Sequence, residues 1–356
     1  MHLGLVGPQP PPNGGMAMQT LQLARLLEEE GVHVDLVQTN APYRPAVMGK
    51  VKGLRAVVRL LPYLWRIWRL AGRADVIHLM ANSGWSWQLF AAPVIWIGWV
   101  RRTPVIVNYR GGEARQYLQA SAAWVKPSMR KAASIVVPSG FLRDVFKEFE
   151  LPAMIISNII DLDTFYPALE PPSEAPFTLV ITRNLESIYG IDTAIQALAV
   201  VRQTIAHVQL KIAGNGPLAG KLKQLVDELG LSDNVVFLGR LDRGEIVALY
   251  HSAHAMLNPS RVDNMPNSIL EALACGLPVI STNVGGVPYI VEDTRTALLV
   301  PPDDVQSMAQ AISRLCNDPS LRTQLRENGC QAVAQYAWPE VRPQWLALYE
   351  SCRVAA

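Results

Sequence analysis

No cysteine occurs before Cys275, and the four that follow, Cys275, Cys316, Cys330 and Cys352, include no Cys-x-x-Cys pair. That excludes a disulfide framework and a zinc ribbon, and suits reduced thiols in a cytoplasmic protein. Charge is sparse too, at 17% of residues, whereas half of the residues are apolar. A chain so composed buries large cores and is not disordered over most of its length. No charged leader followed by a long apolar stretch opens the sequence, so no secretory signal is expected. An apolar run long enough to invite a bilayer does occur, Leu79 to Val100, but Asn82, Ser83, Gly84, Ser86, Gln88 and Pro93 interrupt it. A helix buried between a sheet and its neighbours is the expectation there.

Acidic residues are the scarcest where basic ones gather. Residues 1–150 hold 18 Lys/Arg against 9 Asp/Glu, and the remainder 14 against 21, behind a net charge of only +2. Arg44, Lys50, Lys52, Arg55, Arg59, Arg66, Arg69 and Arg73 follow one another with no acid among them. The stretch 50–73 also carries Leu54, Val57, Val58, Leu61, Leu64, Trp65, Ile67, Trp68 and Leu70. This mixture fits an anionic membrane surface, or an outer helix whose apolar face packs on its own domain. A nucleic-acid partner is not expected, since no recognition module accompanies the charge.

What is present in abundance is alternation. Strand-like runs at Leu3–Gly7, Val32–Val37, Val76–Leu79, Val105–Tyr109, Ile135–Pro138 and Met154–Ile156 are separated by helical stretches. A second series runs through Thr178–Thr182, Val208–Ala213, Val235–Leu238, Ala255–Asn258, Val279–Ser281 and Leu298–Val300. Such alternation predicts an α/β protein of two doubly wound, Rossmann-like parallel-sheet domains. The boundaries read as 1–166 for the first domain, a proline-broken linker at 167–176, and 177–337 for the second. Residues 338–356 supply a final helix that could cross back to the first domain.

In open α/β sheets ligands bind where strand ends lead into helices. The first such loop holds Gly14 and Gly15, whose backbone N–H groups can approach a phosphate. The richer one runs from Asn258 through Asp263, Asn264, Met265 and Asn267 to Glu271, ending at Gly276-Leu277-Pro278-Val279. A carboxylate in that place can accept two hydrogen bonds from a vicinal diol such as ribose.

These residues resemble the retaining GT-B glycosyltransferases of family four, whose signature is two glutamates separated by seven residues ahead of Ala-x-Ala-x-Gly-x-Pro-Val. Gly14-Gly15, Asn158–Phe165, Gly214-Asn215-Gly216-Pro217, Gly239, Pro259-Ser260 and Gly285-Gly286-Val287 match in order. The resemblance implies two domains facing a central cleft, and transfer of a sugar from a nucleotide sugar such as a UDP-sugar to a glycan or lipid-linked acceptor. It implies polysaccharide or glycolipid synthesis by a cytoplasmic enzyme, peripheral on the inner face of the membrane. Glu271 would then hold the ribose, Asp263 and the N–H groups of Asn264 and Met265 the sugar hydroxyls, and Arg183 the diphosphate. Asn267 and Tyr189 would line the donor pocket, and Gly15 would let the first domain close over the phosphates. No metal and no bound cofactor is implied, and Asp161-Leu162-Asp163 is assigned none.

The pattern is broken three times. Asp263 stands in place of the first glutamate, Tyr189 lies where a lysine is usual, and Arg110 replaces a histidine after the fourth strand. The last two changes suggest that Arg110 supplies the cation the Tyr189 position lacks, because charge develops on the leaving diphosphate. His78, at a strand end, is a candidate for the acceptor side together with Arg110, or a hydrogen-bonded core histidine. Two rival readings remain: an enzyme using another glycosyl donor, such as a sugar phosphate, and a degenerate glycosyltransferase acting as a binding or scaffold protein.

Overall fold

A computed structural model describes residues 1–11, 14–41, 54–169, 172 and 176–354. The sequence expectations at Arg44, Lys50 and Lys52, and at Pro171 within the linker, lie outside them. Two compact units result, Met1–Ile159 with Trp338–Ala356, and Ile160–Ala337.

In the first unit β1 (His2–Gly7), α1 (Gly15–Glu29), β2 (His33–Gln38), α2 (Leu54–Leu70), β3 (Val76–Ala81), α3 (Ala92–Arg101), β4 (Val105–Tyr109), α4 (Ala114–Met129), β5 (Ser134–Val137), α5 (Gly140–Glu148) and β6 (Met154–Ile155) alternate. The strands form one parallel sheet in the order β2-β1-β3-β4-β5-β6. Strands so placed are covered on both faces, which is why β3 and β4 are buried at every residue. On one face Tyr63, Ile67, Val94, Ile95, Leu118 and Phe146 bring in α2 to α5. On the other, Leu23 and Leu27 of α1 meet Trp345 and Tyr349 of the last helix. Burying each of those large side chains contributes about 1.5–3 kcal/mol.

The run Leu79–Val100 is not one buried helix. Its first residues finish β3, a π-helical turn spans Trp87–Ala91, and α3 follows with Pro93 in its first turn, where the missing N–H costs nothing. Gly98 lets α3 lie close on the sheet, since a Cβ there would strike Val105 and the Thr103 carbonyl. The outer side of α3 leaves Trp96, Trp99 and Val100 exposed. Among the described residues no helix is long and apolar enough to cross a membrane.

The second unit contains β7 (Phe177–Thr182), α6 (Ile191–Arg202), β8 (Val208–Ala213), α7 (Ala219–Glu228), β9 (Val235–Gly239), α8 (Arg243–His251), β10 (Ala255–Asn258), α9 (Asn267–Ala274), β11 (Val279–Thr282), β12 (Leu298–Val300), α10 (Val305–Asn317) and α11 (Pro319–Val333). Its parallel sheet is ordered β12-β11-β10-β7-β8-β9. α6, α7, α10 and α11 cover one face, and α8 and α9 the other.

The division between units falls before Ile160, not at the proline-rich stretch. Ile160 bridges to Ala337, and Phe165 is buried with Ile269 and Leu270, so 160–166 belong with the second unit. The final helix, α12 (Trp338–Val354), belongs with the first. Its Trp338 and Arg342 both donate to Glu30, and its Tyr349 hydroxyl lies 2.7 Å from His78 Nδ1.

Candidate functional site

The loops after β7, β8, β10 and β11 converge in the second unit, at the carboxyl ends of its central strands. Asn258, the fully buried last residue of β10, organises them. Its Oδ1 accepts from Arg183 Nε at 3.0 Å and Nη2 at 2.8 Å, and its Nδ2 donates to Ser281 Oγ at 3.0 Å. Arg183 also pairs with the Asp263 carboxylate, and its guanidinium lies 4.9 Å from the centre of the Tyr189 ring. With side chains only 12% and 11% exposed, Arg183 and Asp263 form a nearly enclosed pair. Burial pushes the Asp263 carboxyl up, while Arg183, Ser260, the Asn264 N–H and Asn258 pull it down. Thus the Asn264 N–H faces the Asp263 carboxylate, a partner the sequence reading did not give it. Met265 is buried in the core beside Ile269 and Leu270, and Asn267 begins α9.

Glu271 sits one turn into α9. The Tyr250 hydroxyl is 3.4 Å from its Oε2 and 2.6 Å from Thr182 Oγ1, the residue just before Arg183. Burial raises the Glu271 carboxyl, opposed by Arg243, Arg183 and Tyr250. Two carboxylates and one guanidinium are therefore held at one end of the sheet, a set able to accept hydrogen bonds from hydroxyls and to meet an anion.

Backbone geometry fixes this arrangement. Gly190 (φ 56°) precedes α6, and any Cβ there would collide with the Pro259 carbonyl; at Gly214 (φ 147°) it would collide with that of Arg183. Arg261 ties the Asp263 loop down, donating to Ser187 O (2.6 Å), Asp192 (2.8 Å) and Asp303 (2.7 Å). The Gly286 N–H donates to the Asp263 carbonyl at 2.9 Å. Sequence reasoning missed Asn258 as an organiser, as well as Tyr250 and Arg261. A buried amide ending a strand was a visible signal, whereas Tyr250 and Arg261 gave none.

In the first unit Gly14 caps α1 and Gly15, exposed, begins it. Arg110 follows β4, donating from Nε to Asn108 Oδ1 at 3.1 Å and from Nη1 to Asn158 Oδ1. Burial lowers its pKa to about 10, so it stays cationic at neutral pH. His78 is not an acceptor-facing group, because it has no exposed surface. Its ring lies 4.5 Å from that of Trp345, between the Tyr349 hydroxyl and Asn108 Nδ2 (3.0 Å). Burial, with the charge of Arg110 nearby, drives its pKa down to about 3, so the imidazole is neutral. An amide N–H donating to Nε2 leaves the ring proton on Nδ1, facing Tyr349. A cavity of about 210 Å³ on this unit lies elsewhere, bounded by Met16, Asn40, Arg59, Asn82, Ser86 and Phe90.

Among the described residues one cluster has metal-ligand spacing, His2, His33 and Asp35, at the opposite end of the first sheet. Arg73 already lies 2.7 Å from that Asp35 carboxylate.

The model of the glycosyl transferases group 1 matches residues 165–332, and that of glycosyltransferase family 4 matches 13–164. The α-D-kanosaminyltransferase of Streptomyces kanamyceticus is 28% identical over 244 residues, 64% of this chain and 63% of that protein. The D-inositol 3-phosphate glycosyltransferase of Mycolicibacterium smegmatis is 31% identical over 200 residues, 53% of this chain and 45% of that one. The chain spans less than two thirds of the length of these relatives. Among solved structures, sucrose-phosphate synthase from Thermosynechococcus elongatus superposes over the whole of both chains with a TM-score of 0.80 at 23% identity. Anabaena HepE in complex with UDP and glucose gives 0.75 at 19% identity, covering 98% of this chain and 99% of that one. These likenesses show the two-domain Rossmann-like fold.

Proposed function

Because the chain belongs to the family-four-type glycosyltransferases of the GT-B fold, we propose that it moves a sugar from a nucleoside diphosphate sugar to a hydroxyl of a glycan or lipid-linked acceptor. The anomeric configuration is retained in this reading, and the enzyme serves polysaccharide or glycolipid synthesis in the cytoplasm, peripherally on the membrane through 50–73. The observation that carries it is the convergence of Arg183, Asp263 and Glu271 at one end of the second sheet, Arg183 oriented by Asn258.

In this reading Glu271 accepts from the ribose hydroxyls, and Asp263 positions the sugar. The acceptor hydroxyl attacks from the face of the departing phosphate, whose oxygen takes its proton. Arg183 meets the charge that grows on that diphosphate as the glycosidic bond breaks. Its guanidinium is fixed beforehand by Asn258 and Tyr189, so little reorganisation accompanies the reaction. Arg110 adds a second cation, supported by its anchoring on Asn108 and Asn158. Solved structures of the HepE neighbour are described in complex with UDP or UDP-glucose, which makes uridine diphosphate sugars the first donors to try. No bound cofactor and no metal is part of the proposal.

Calorimetry with uridine, guanosine, adenosine and thymidine diphosphates tests it, followed by a screen of the matching sugars for turnover. One diphosphate is expected to bind, and Glu271→Ala to weaken it by about tenfold or more. Binding of none of them, in a folded protein, overturns the donor assignment. Full turnover in Glu271→Ala overturns the site.

A further inference from the structure

The first unit carries an outer surface that its own core does not use. On α2, Leu61, Trp65 and Trp68 are 61%, 58% and 45% exposed, at i, i+4 and i+7, opposite the buried Tyr63, Ile67 and Leu70. On α3, Trp96, Trp99 and Val100 are exposed on the side away from Val94, Ile95 and Gly98. The two helices pack together, and Arg101 of α3 reaches over Gly72 to lie 4.8 Å from the Trp68 ring. Their exposed residues therefore form one surface, not two. α3 also packs on α4, where Trp124 is exposed. Isolated surface aromatics need no explanation, but several tryptophans on adjoining helices do.

Each of three of these indoles has a cation at its face: Arg69 at 4.8 Å from Trp65, Arg101 on Trp68, and Lys131 at 4.3 Å from Trp99. Between Asp35 and Glu113 the sequence has one acidic residue, Asp75, and its carboxylate accepts from the backbone N–H of His2. A surface that interleaves indoles with Arg69 and Arg101, for which no ion pair is seen among the described residues, matches a headgroup region, where the ring sits at the apolar boundary and the cation among phosphates.

We propose that the exposed faces of α2 and α3 dock on an anionic lipid bilayer, with Trp65, Trp68, Trp96 and Trp99 as the inserted groups. A second copy of this chain is a poorer occupant, because a self-complementary contact would set the same arginines against one another. The inference rests on the peripheral part of the reading above and on none of its chemistry. It extends the docking element from the single stretch 50–73 to α3, which sequence reading had placed inside.

Flotation of the full chain with vesicles of phosphatidylcholine alone, and of equal parts phosphatidylcholine and phosphatidylglycerol, tests it. Binding to the anionic vesicles is expected, with a blue shift of tryptophan emission, and it weakens as salt rises. The variant W65S/W68S/W99S should bind about tenfold less while its thermal midpoint and its affinity for nucleoside diphosphate stay unchanged. If that variant misfolds, the charge reversal R69E/R101E should abolish the preference for anionic vesicles with the fold intact. Negligible binding to both vesicles overturns the proposal, as does undiminished binding by both variants. So does a dimer in the absence of lipid that W65S/W68S/W99S dissolves. If the wild-type chain binds vesicles but no nucleoside diphosphate, the catalytic reading fails and this one stands.

Discussion

Arg183 reaches the Oδ1 of Asn258 through both Nε, at 3.0 Å, and Nη2, at 2.8 Å. One neutral amide at the end of β10 thus sets the plane of the guanidinium, while Asp263 balances its charge. Two donors on one acceptor leave the fork little freedom to rotate.

Asn258→Ala should therefore harm the site more than a contact of its size suggests. It removes the acceptor for both Arg183 donors and the donor to buried Ser281, and is expected to cost about 1–3 kcal/mol of stability. Nucleoside diphosphate affinity should fall about tenfold and turnover further. Denaturant unfolding and calorimetry on the same preparation check this; unchanged affinity would mean that Arg183 holds its pose without the amide.

Glycine substitutions should separate the braced loops from ordinary surface. Gly214→Ala places a Cβ against the Arg183 carbonyl at a φ of 147° and is expected to destabilise by about 2 kcal/mol or more, with donor binding lost. Gly220→Ala, in the first turn of α7 with nothing within 4 Å, should instead stabilise by about 0.4–1 kcal/mol. Thermal unfolding of the two variants decides, and a similar loss in both would contradict the argument.

The buried imidazole gives the protein a calculable acid sensitivity. His78 takes up a proton near pH 6.5 when unfolded but only near 3 when folded. Between those values the unfolded chain binds more protons, so stability falls as pH falls, by up to about 1.4 kcal/mol per pH unit from this residue. His78→Gln should flatten that part of the profile. Chemical denaturation between pH 4 and 7 measures it, and an equal slope in both proteins would rule out His78 as its source.

Arg110→Ala should lower turnover by about a hundredfold while nucleoside diphosphate affinity changes little, since the proposed diphosphate partner Arg183 remains. Arg183→Ala should lower both. If Arg110→Ala turned over normally while Arg183→Ala did not, the second cation would have no part in the reaction.

Most strands were legible because a parallel strand covered on both faces leaves a short, continuous apolar run: Val105–Tyr109 and Val208–Ala213 match the structure to the residue. Asp263 and Glu271 stood out as carboxylates of a strand–loop–helix junction, whereas Arg183 was singled out only by the family resemblance; the structure brings the three to one end of the second sheet. Three features were not legible. A strand histidine reads the same whether it faces a cleft or, like His78 within β3, is covered by a residue 271 positions away. The partition at Ile160 rests on contacts distant in sequence, such as its bridge to Ala337, which no local pattern encodes. Trp96 and Trp99 sit in an uncharged stretch that hydropathy alone assigns to the interior, and only the close packing at Gly98 tells which side of α3 faces the sheet.

Because α12 belongs with the residues before Ile160, the second unit is an insertion within the first. On the ribosome the second unit would be complete while the first still awaited Trp345 and Tyr349, the side chains that close over His78. The half of the molecule that is synthesised first is thus completed after the second, since part of the cover of one sheet face waits for Trp345 and Tyr349.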